Sequence, residues 1–237
     1  MTATVSTAAS PTTARPAGPG LIIPAVTTVV LFVASVIATA AFGDGLYSSP
    51  FASQPGDIAQ TYASHETLIK VIGLLEFASA LALVVFTSAV WTRLRAVAPG
   101  VLTDVAAIGG ILAALFMALN ALVQWPLSYA SVTSSASVRH ALELLYFGLG
   151  GFAHVASLGL LVGGVSLVTL GLRLVPRWFA IAGLVLAAVS ILSTLTFVVE
   201  GAAPLLPIGR FVTFIWMIAV SVLFRATSGP RSPSVST

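Results

Sequence analysis

The sequence contains no cysteine and very few charged residues. Without cysteine, the chain forms no disulfides and offers no thiolate for catalysis or metal binding. Only 7% of the residues are charged and 58% are hydrophobic, whereas roughly a quarter of the residues are charged in ordinary globular chains. So few charges do not cover the surface of a soluble domain. The composition therefore predicts an integral membrane protein whose main partner is the lipid bilayer.

Short catalytic motifs are also missing. The sequence has no G-x-S-x-G, no P-loop, no H-E-x-x-H and no dinucleotide fingerprint, so we predict no cofactor. Its basic residues are scattered and do not alternate with aromatic residues, which argues against a nucleic-acid partner. The sequence singles out no nucleophile and leaves open whether the protein is an enzyme.

Long apolar runs divide the chain into six predicted transmembrane helices, hereafter the first to the sixth span. We therefore predict an all-α fold, a polytopic bundle of these six spans, with disordered tails at residues 1–20 and 225–237. The first span contains Ala38-Thr39-Ala40, which resembles a signal-peptidase site. Its apolar run is longer than a usual signal core, so we interpret it as a retained span. The predicted spans cover residues 21–42, 66–90, 101–125, 141–172, 178–199 and 208–224.

Basic residues predict the orientation of the bundle. With six spans, seven of these residues fall on one side and three on the other. The side richer in Lys and Arg faces the cytoplasm, so both termini are predicted to be cytoplasmic. The seven are Arg15, Arg93, Arg95, Arg173, Arg177, Arg225 and Arg231, and the three are Lys70, Arg139 and Arg210.

Two ionisable residues lie deep inside predicted spans. Glu76 in the second span and His154 in the fourth are each about 15 Å from the outer end of their helix by the helical rise. An ionisable group at such depth is a functional-site hypothesis by default. If the two side chains face each other, they form a pair. That pair either accepts protons at the floor of an outward-facing cavity or clamps two helices together, and the sequence leaves both interpretations open.

The third span carries two amide residues in its outer part, Asn120 and Gln124. They are four residues apart and share a helix face. Either they line the same cavity or they hydrogen-bond to a neighbouring helix, which is the commoner arrangement. Gly109 and Gly110, in the same span, predict a close contact between helices.

A further set of polar residues is expected near the outer face: His65, His140, Glu143, Glu200 and Arg210. His140 and Glu143 are three residues apart, and with His65 they offer nitrogen and oxygen ligands for a divalent metal. The order H-x-x-E is, however, the reverse of the E-x-x-H of di-iron bundles. Interfacial charges, some of them paired, are the alternative interpretation. Glu200 and Arg210 flank the last outer hairpin and are predicted to form a salt bridge across it.

Two turn motifs mark the last third of the chain. L-x-P-R-W runs from Leu174 to Trp178, and L-P-x-G-R runs from Leu206 to Arg210. In these segments the chain resembles uncharacterised bacterial multi-pass membrane proteins of the type called domain of unknown function 4386. The resemblance implies a location in the plasma membrane and transfers no catalytic residue.

These features favour a protein that binds or transports a small or lipid-like molecule through an outward-facing polar cavity, with proton coupling at Glu76 and His154. Two alternatives stay open. One is an intramembrane enzyme that uses a metal held by His65, His140 and Glu143. The other is a structural or accessory membrane subunit without catalysis. A homo-oligomer or a partner membrane subunit is compatible with each.

Overall fold

The computed structural model describes residues 20–42 and 62–226. Within these ranges all regular secondary structure is helical, and six helices are long and apolar enough to cross a membrane. This confirms the predicted all-α multi-pass fold. The predicted tail at 1–20, except Gly20, and most of the tail at 225–237 lie outside the described residues.

From the second span to the sixth, short connections join one span to the next. A four-residue helix, Ala130–Thr133, precedes the fourth span, and two 3-10 turns, Ser193–Phe197 and Glu200–Ala202, connect the fifth span to the sixth. The spans are Ile22–Phe42, Glu66–Val97, Val101–Leu127, Ala136–Gly171, Arg177–Leu192 and Leu205–Ala226.

The second, fourth and sixth spans are longer than their apolar runs predict. The second continues to Val97, and the fourth begins at Ala136. The added turns of the second span carry polar groups with partners: the Trp91 indole N–H donates to Asp104 Oδ1 at 3.1 Å, and the Arg95 guanidinium lies 4.9 Å from the Trp91 ring centroid. Helical structure therefore extends past the hydrophobic run, so apolar length alone underestimates it.

The spans pack mainly against their neighbours in sequence, from the first to the fifth. The sixth span packs against the fifth, the fourth and the first, and so closes the bundle. Apolar side chains from all six spans fill its centre. The largest of these that are fully buried are Leu83, Phe86, Leu94, Met117, Leu158, Leu161, Phe214 and Met217.

The adjacent glycines of the third span lie at two close helix contacts, as predicted. A Cβ at Gly109 would lie 2.5 Å from Leu160 Cβ and 2.7 Å from Leu161 N in the fourth span. A Cβ at Gly110 would lie 2.3 Å from Thr87 Oγ1 in the second span. The third span thus approaches both of its neighbours through positions that accept no side chain.

The first span is part of the bundle rather than a helix at its edge. Phe32 is 4% exposed, and its ring centroid lies 5.2 Å from that of Phe214 in the sixth span. The Ser79 hydroxyl of the second span donates to the Thr28 carbonyl at 2.8 Å. The first span therefore contributes to the core of the bundle, and its retention stays a prediction.

Candidate functional site

Glu76 is buried in the centre of the bundle, with 4% of its surface exposed. Its carboxyl atom Oε2 accepts two hydrogen bonds from side-chain amides of the third span. Asn120 Nδ2 donates at 2.8 Å and Gln124 Nε2 donates at 2.6 Å. A buried charge needs such partners because its desolvation is costly. Of the two arrangements open for Asn120 and Gln124, the structure shows the hydrogen bonds between helices.

The local sequence explains why these groups meet. Asn120 and Gln124 are four residues apart and present their amides on one face of the third span. On the second span, Gly73 precedes Glu76 by about one turn. A Cβ at Gly73 would lie 3.3 Å from the Ala121 carbonyl oxygen. The missing side chain lets the two helices approach closely enough for Glu76 to reach both amides.

Tyr146 of the fourth span is a further member of this group. Its side chain hydrogen-bonds to Glu76 and to Asn120. We refer to Glu76, Asn120, Gln124 and Tyr146 as the Glu76 network. All three partners have N–H or O–H groups, and an ionised carboxylate has only acceptor atoms. The network therefore matches an acidic side chain with donors from two neighbouring helices.

A π-helical turn, Leu149–Ala153, interrupts the fourth span next to the Glu76 network. Gly151 within it departs from helical geometry, at φ −78° and ψ −108°. Gly150 lies against the Asn120 amide, and a Cβ there would be 2.6 Å from Asn120 Oδ1. Turns of this kind occur often at functional sites. Sequence reasoning missed both the turn and Tyr146, although the run Gly148-Leu149-Gly150-Gly151 inside an apolar span was a signal for an interruption.

Arg210 points into the bundle, which overturns the predicted salt bridge with Glu200. Glu200 is exposed, and the two side chains form no ion pair within 4.0 Å. The Arg210 guanidinium instead lies 5.0 Å from the centroid of the Phe32 ring, and its charge acts on Glu76, Tyr146 and His154. The sixth helix begins at Leu205 and contains Arg210, as the predicted span at residues 208–224 does.

A partly open cleft of about 290 Å³ adjoins the Glu76 network. Asn120, Tyr146 and Arg210 give it polar groups, and aromatic and aliphatic residues give it apolar walls. Glu76 lies behind Asn120 and Tyr146 rather than on the cleft surface. We call this space the Arg210 cleft. Its lining is Asn120, Tyr146, Phe147, Gly150, Gly151, Ala203, Leu206, Pro207, Arg210 and Phe211.

Comparison with known proteins identifies no relative. No family model matches the chain, and no curated protein or solved structure matches it. The resemblance to the domain of unknown function 4386 type stays a prediction. The function has to be inferred from the residues of the site.

His154 does not pair with Glu76. Its ring nitrogen Nδ1 lies 2.8 Å from the Ala113 carbonyl oxygen of the third span, and because a carbonyl only accepts, Nδ1 donates. The other nitrogen, Nε2, is buried without a hydrogen-bond partner. Glu76 and His154 were predicted at equal depth on two parallel spans, but their side chains do not face each other. The π-turn lies immediately before His154 and changes the direction in which His154 points around the helix. His154 links the fourth span to the third.

The outer-face candidates do not assemble into one site. His65 Nδ1 lies 3.0 Å from the Ser64 hydroxyl, and His140 is exposed. Glu143 is 9% exposed, and its Oε1 lies 3.9 Å from Arg139 Nε. Across residues 20–42 and 62–226, no group of three or more His, Asp or Glu side chains could hold a metal ion. Among the described residues, the structure therefore does not group His65, His140 and Glu143 as a metal site.

Proposed function

We propose that this chain is a plasma-membrane protein that binds or transports a small or lipid-like molecule in the Arg210 cleft. One observation carries the proposal. Two buried polar atoms at the cleft, Arg210 Nε and Asn120 Oδ1, have no hydrogen-bond partner, although the neighbouring carboxyl and amide nitrogens do. Buried polar groups in proteins are nearly always satisfied. Both residues line the cleft, where a bound molecule would supply the missing hydrogen-bond partners.

The position of the cleft agrees with an outward-facing site. Tyr146 and Arg210 lie in the first half of the fourth and sixth spans, and Asn120 lies in the last third of the third span. With both termini in the cytoplasm, as the basic residues predict, this half of the bundle is the outer one. A ligand would then enter from outside or from the outer leaflet.

Proton coupling is part of the proposal. Glu76 connects to the cleft through Tyr146 and Asn120. Ionisable groups inside membrane spans commonly serve proton relays. The titratable or charged groups that act on Glu76 are Tyr146 from the fourth span and Arg210 from the sixth. Glu76 is the group of this set that we assign as the proton acceptor.

The test fills the cleft with a bulky side chain and measures which bound molecules the purified protein retains. Protein purified in nanodiscs of phosphatidylcholine is compared with Ala203→Trp, which places an indole in the cleft, by native mass spectrometry of bound molecules. Ala202→Trp is the matched control, because Ala202 ends the 3-10 turn directly before Ala203 but does not line the cleft. We expect the wild type and Ala202→Trp to retain a molecule that Ala203→Trp loses. Equal retention by all three proteins, or none by any, contradicts the proposal. A structural subunit would instead show co-purification of a protein partner.

A further inference from the structure

We propose that Arg210 binds an anionic group of the ligand, either a carboxylate or a phosphate. This inference rests on the proposed function and gives the ligand a chemical class. It follows from the surroundings of the guanidinium, from the charge of Glu76 behind it and from the walls of the cleft.

The guanidinium of Arg210 has no anionic partner. Among the described residues no carboxylate lies within 4.0 Å of it, and its buried Nε has no hydrogen-bond partner. Phe32 covers one face of the group at 5.0 Å. A guanidinium carries five N–H donors in a planar fork that fits a carboxylate or phosphate with two parallel hydrogen bonds. Because Arg210 lines the cleft, an anion in the cleft would supply the missing acceptors.

Glu76 provides the opposing charge. It acts on Arg210 through space, but its own hydrogen bonds go to Asn120, Gln124 and Tyr146. Arg210 is therefore held near a negative charge without being neutralised by contact. A bound anion and Glu76 would repel each other across Arg210. Removing the charge of Glu76 should therefore strengthen anion binding, whereas replacement of a binding-site residue ordinarily weakens binding.

The rest of the lining suits the hydrocarbon part of such a ligand. Phe147, Leu206, Pro207 and Phe211 form apolar walls next to Arg210. A fatty acid, the head group of an anionic lipid and a free anion such as phosphate all share the chemistry that Arg210 recognises. The probes must therefore separate tethered from free anions.

The first experiment needs no variant. Wild-type protein in phosphatidylcholine nanodiscs is titrated with dodecanoate, with dodecanol and with inorganic phosphate, and bound molecules are counted by native mass spectrometry. A parallel preparation replaces part of the phosphatidylcholine with phosphatidylglycerol. We expect dodecanoate to bind at least about tenfold more tightly than dodecanol, since a charge-assisted hydrogen bond separates the two. Preference for phosphatidylglycerol identifies a lipid head group, and saturable binding of phosphate alone identifies a free anion.

The second experiment uses three variants with the best-binding anion. Arg210→Gln should weaken binding about ten- to a hundredfold, and Arg210→Lys should weaken it less because the charge remains. Glu76→Gln should tighten binding several-fold by the Coulomb argument. If binding by the wild type tightens at lower pH, Glu76→Gln should remove that dependence.

Three results overturn the inference in different ways. Equal binding of dodecanoate and dodecanol, both lost in Ala203→Trp, removes the anionic group but keeps the proposed cleft. Binding of no probe at all, together with no effect of Ala203→Trp on retained molecules, removes both proposals. Weaker rather than tighter anion binding in a folded Glu76→Gln protein also contradicts the role given to Arg210.

Discussion

At the scale of single residues, Glu76 is the side chain with the most demanding environment. Two amide nitrogens lie within 2.8 Å of one of its oxygens, and Tyr146 adds a third hydrogen bond. Leaving one buried partner unsatisfied costs about 1–3 kcal/mol, while replacing both partners by apolar groups is often nearly neutral. The stability lost when one hydrogen-bonding side chain is replaced therefore depends on whether its partner side chain stays in place.

This asymmetry predicts strong coupling between Glu76 and Gln124. We expect Gln124→Leu alone and Glu76→Leu alone each to lower the free energy of unfolding by about 1–3 kcal/mol. The double variant should lose at least about 0.5 kcal/mol less than the sum of the two. Unfolding in mixed micelles measures all four proteins. Additive losses would show that the 2.6 Å contact between Gln124 Nε2 and Glu76 Oε2 does not couple the two residues.

For His154 we expect the opposite, namely that replacement by an apolar residue changes the stability little. Its Nδ1 donates one hydrogen bond to Ala113, which contributes about 0.5–1.5 kcal/mol, but its buried Nε2 is unsatisfied at a cost of about 1–3 kcal/mol. Replacement by Leu removes both, so the free energy of unfolding of His154→Leu should stay within about 1 kcal/mol of the wild type. A loss above about 3 kcal/mol would show that Nε2 has a partner essential for stability. Anion binding to Arg210 should be unchanged.

At the scale of elements, the fourth span decides which parts of the site could be predicted. The 20-residue apolar length and the spacing of Asn120 and Gln124 follow from regular helices, so the spans and the shared amide face were within reach of the sequence. The π-turn between Tyr146 and His154 breaks that regularity. The position of a side chain along its helix could be predicted, but the direction in which it points around the helix could not. Arg210 falls in the sixth span as predicted, but the sequence did not show that its side chain points into the bundle instead of toward Glu200.

The contact between the π-turn and Asn120 gives a test of the turn itself. Gly150→Ala would bring a Cβ within 2.6–2.8 Å of three atoms of the Asn120 amide. We expect a loss of about 1–3 kcal/mol of unfolding free energy from this overpacking, together with weaker ligand retention. Gly171→Ala is the matched control, since a Cβ there meets nothing within 4 Å, and it should be neutral or slightly stabilising. Equal stability of the two variants would mean that the fourth span adjusts at no cost.

At the scale of the whole molecule, the site depends on five of the six spans. The second, third and fourth supply the Glu76 network, the sixth supplies Arg210, and the first supplies the ring of Phe32 against which the guanidinium packs. The small residues at the helix contacts let these side chains meet without a large bundle. A site assembled this way forms only when the complete bundle has packed, so loss of the first span should also affect Arg210.

The orientation of the bundle can be tested directly because the chain has no cysteine. Single cysteines are introduced at Ser135 and at Gly171, which are both exposed and lie at opposite ends of the fourth span. If both termini are cytoplasmic, a membrane-impermeant maleimide added to intact spheroplasts should label Ser135→Cys and leave Gly171→Cys unlabelled until the membrane is permeabilised. The cysteine-free parent protein gives the background. The reverse labelling would place the Arg210 cleft on the cytoplasmic side, and its ligand would then come from inside the cell.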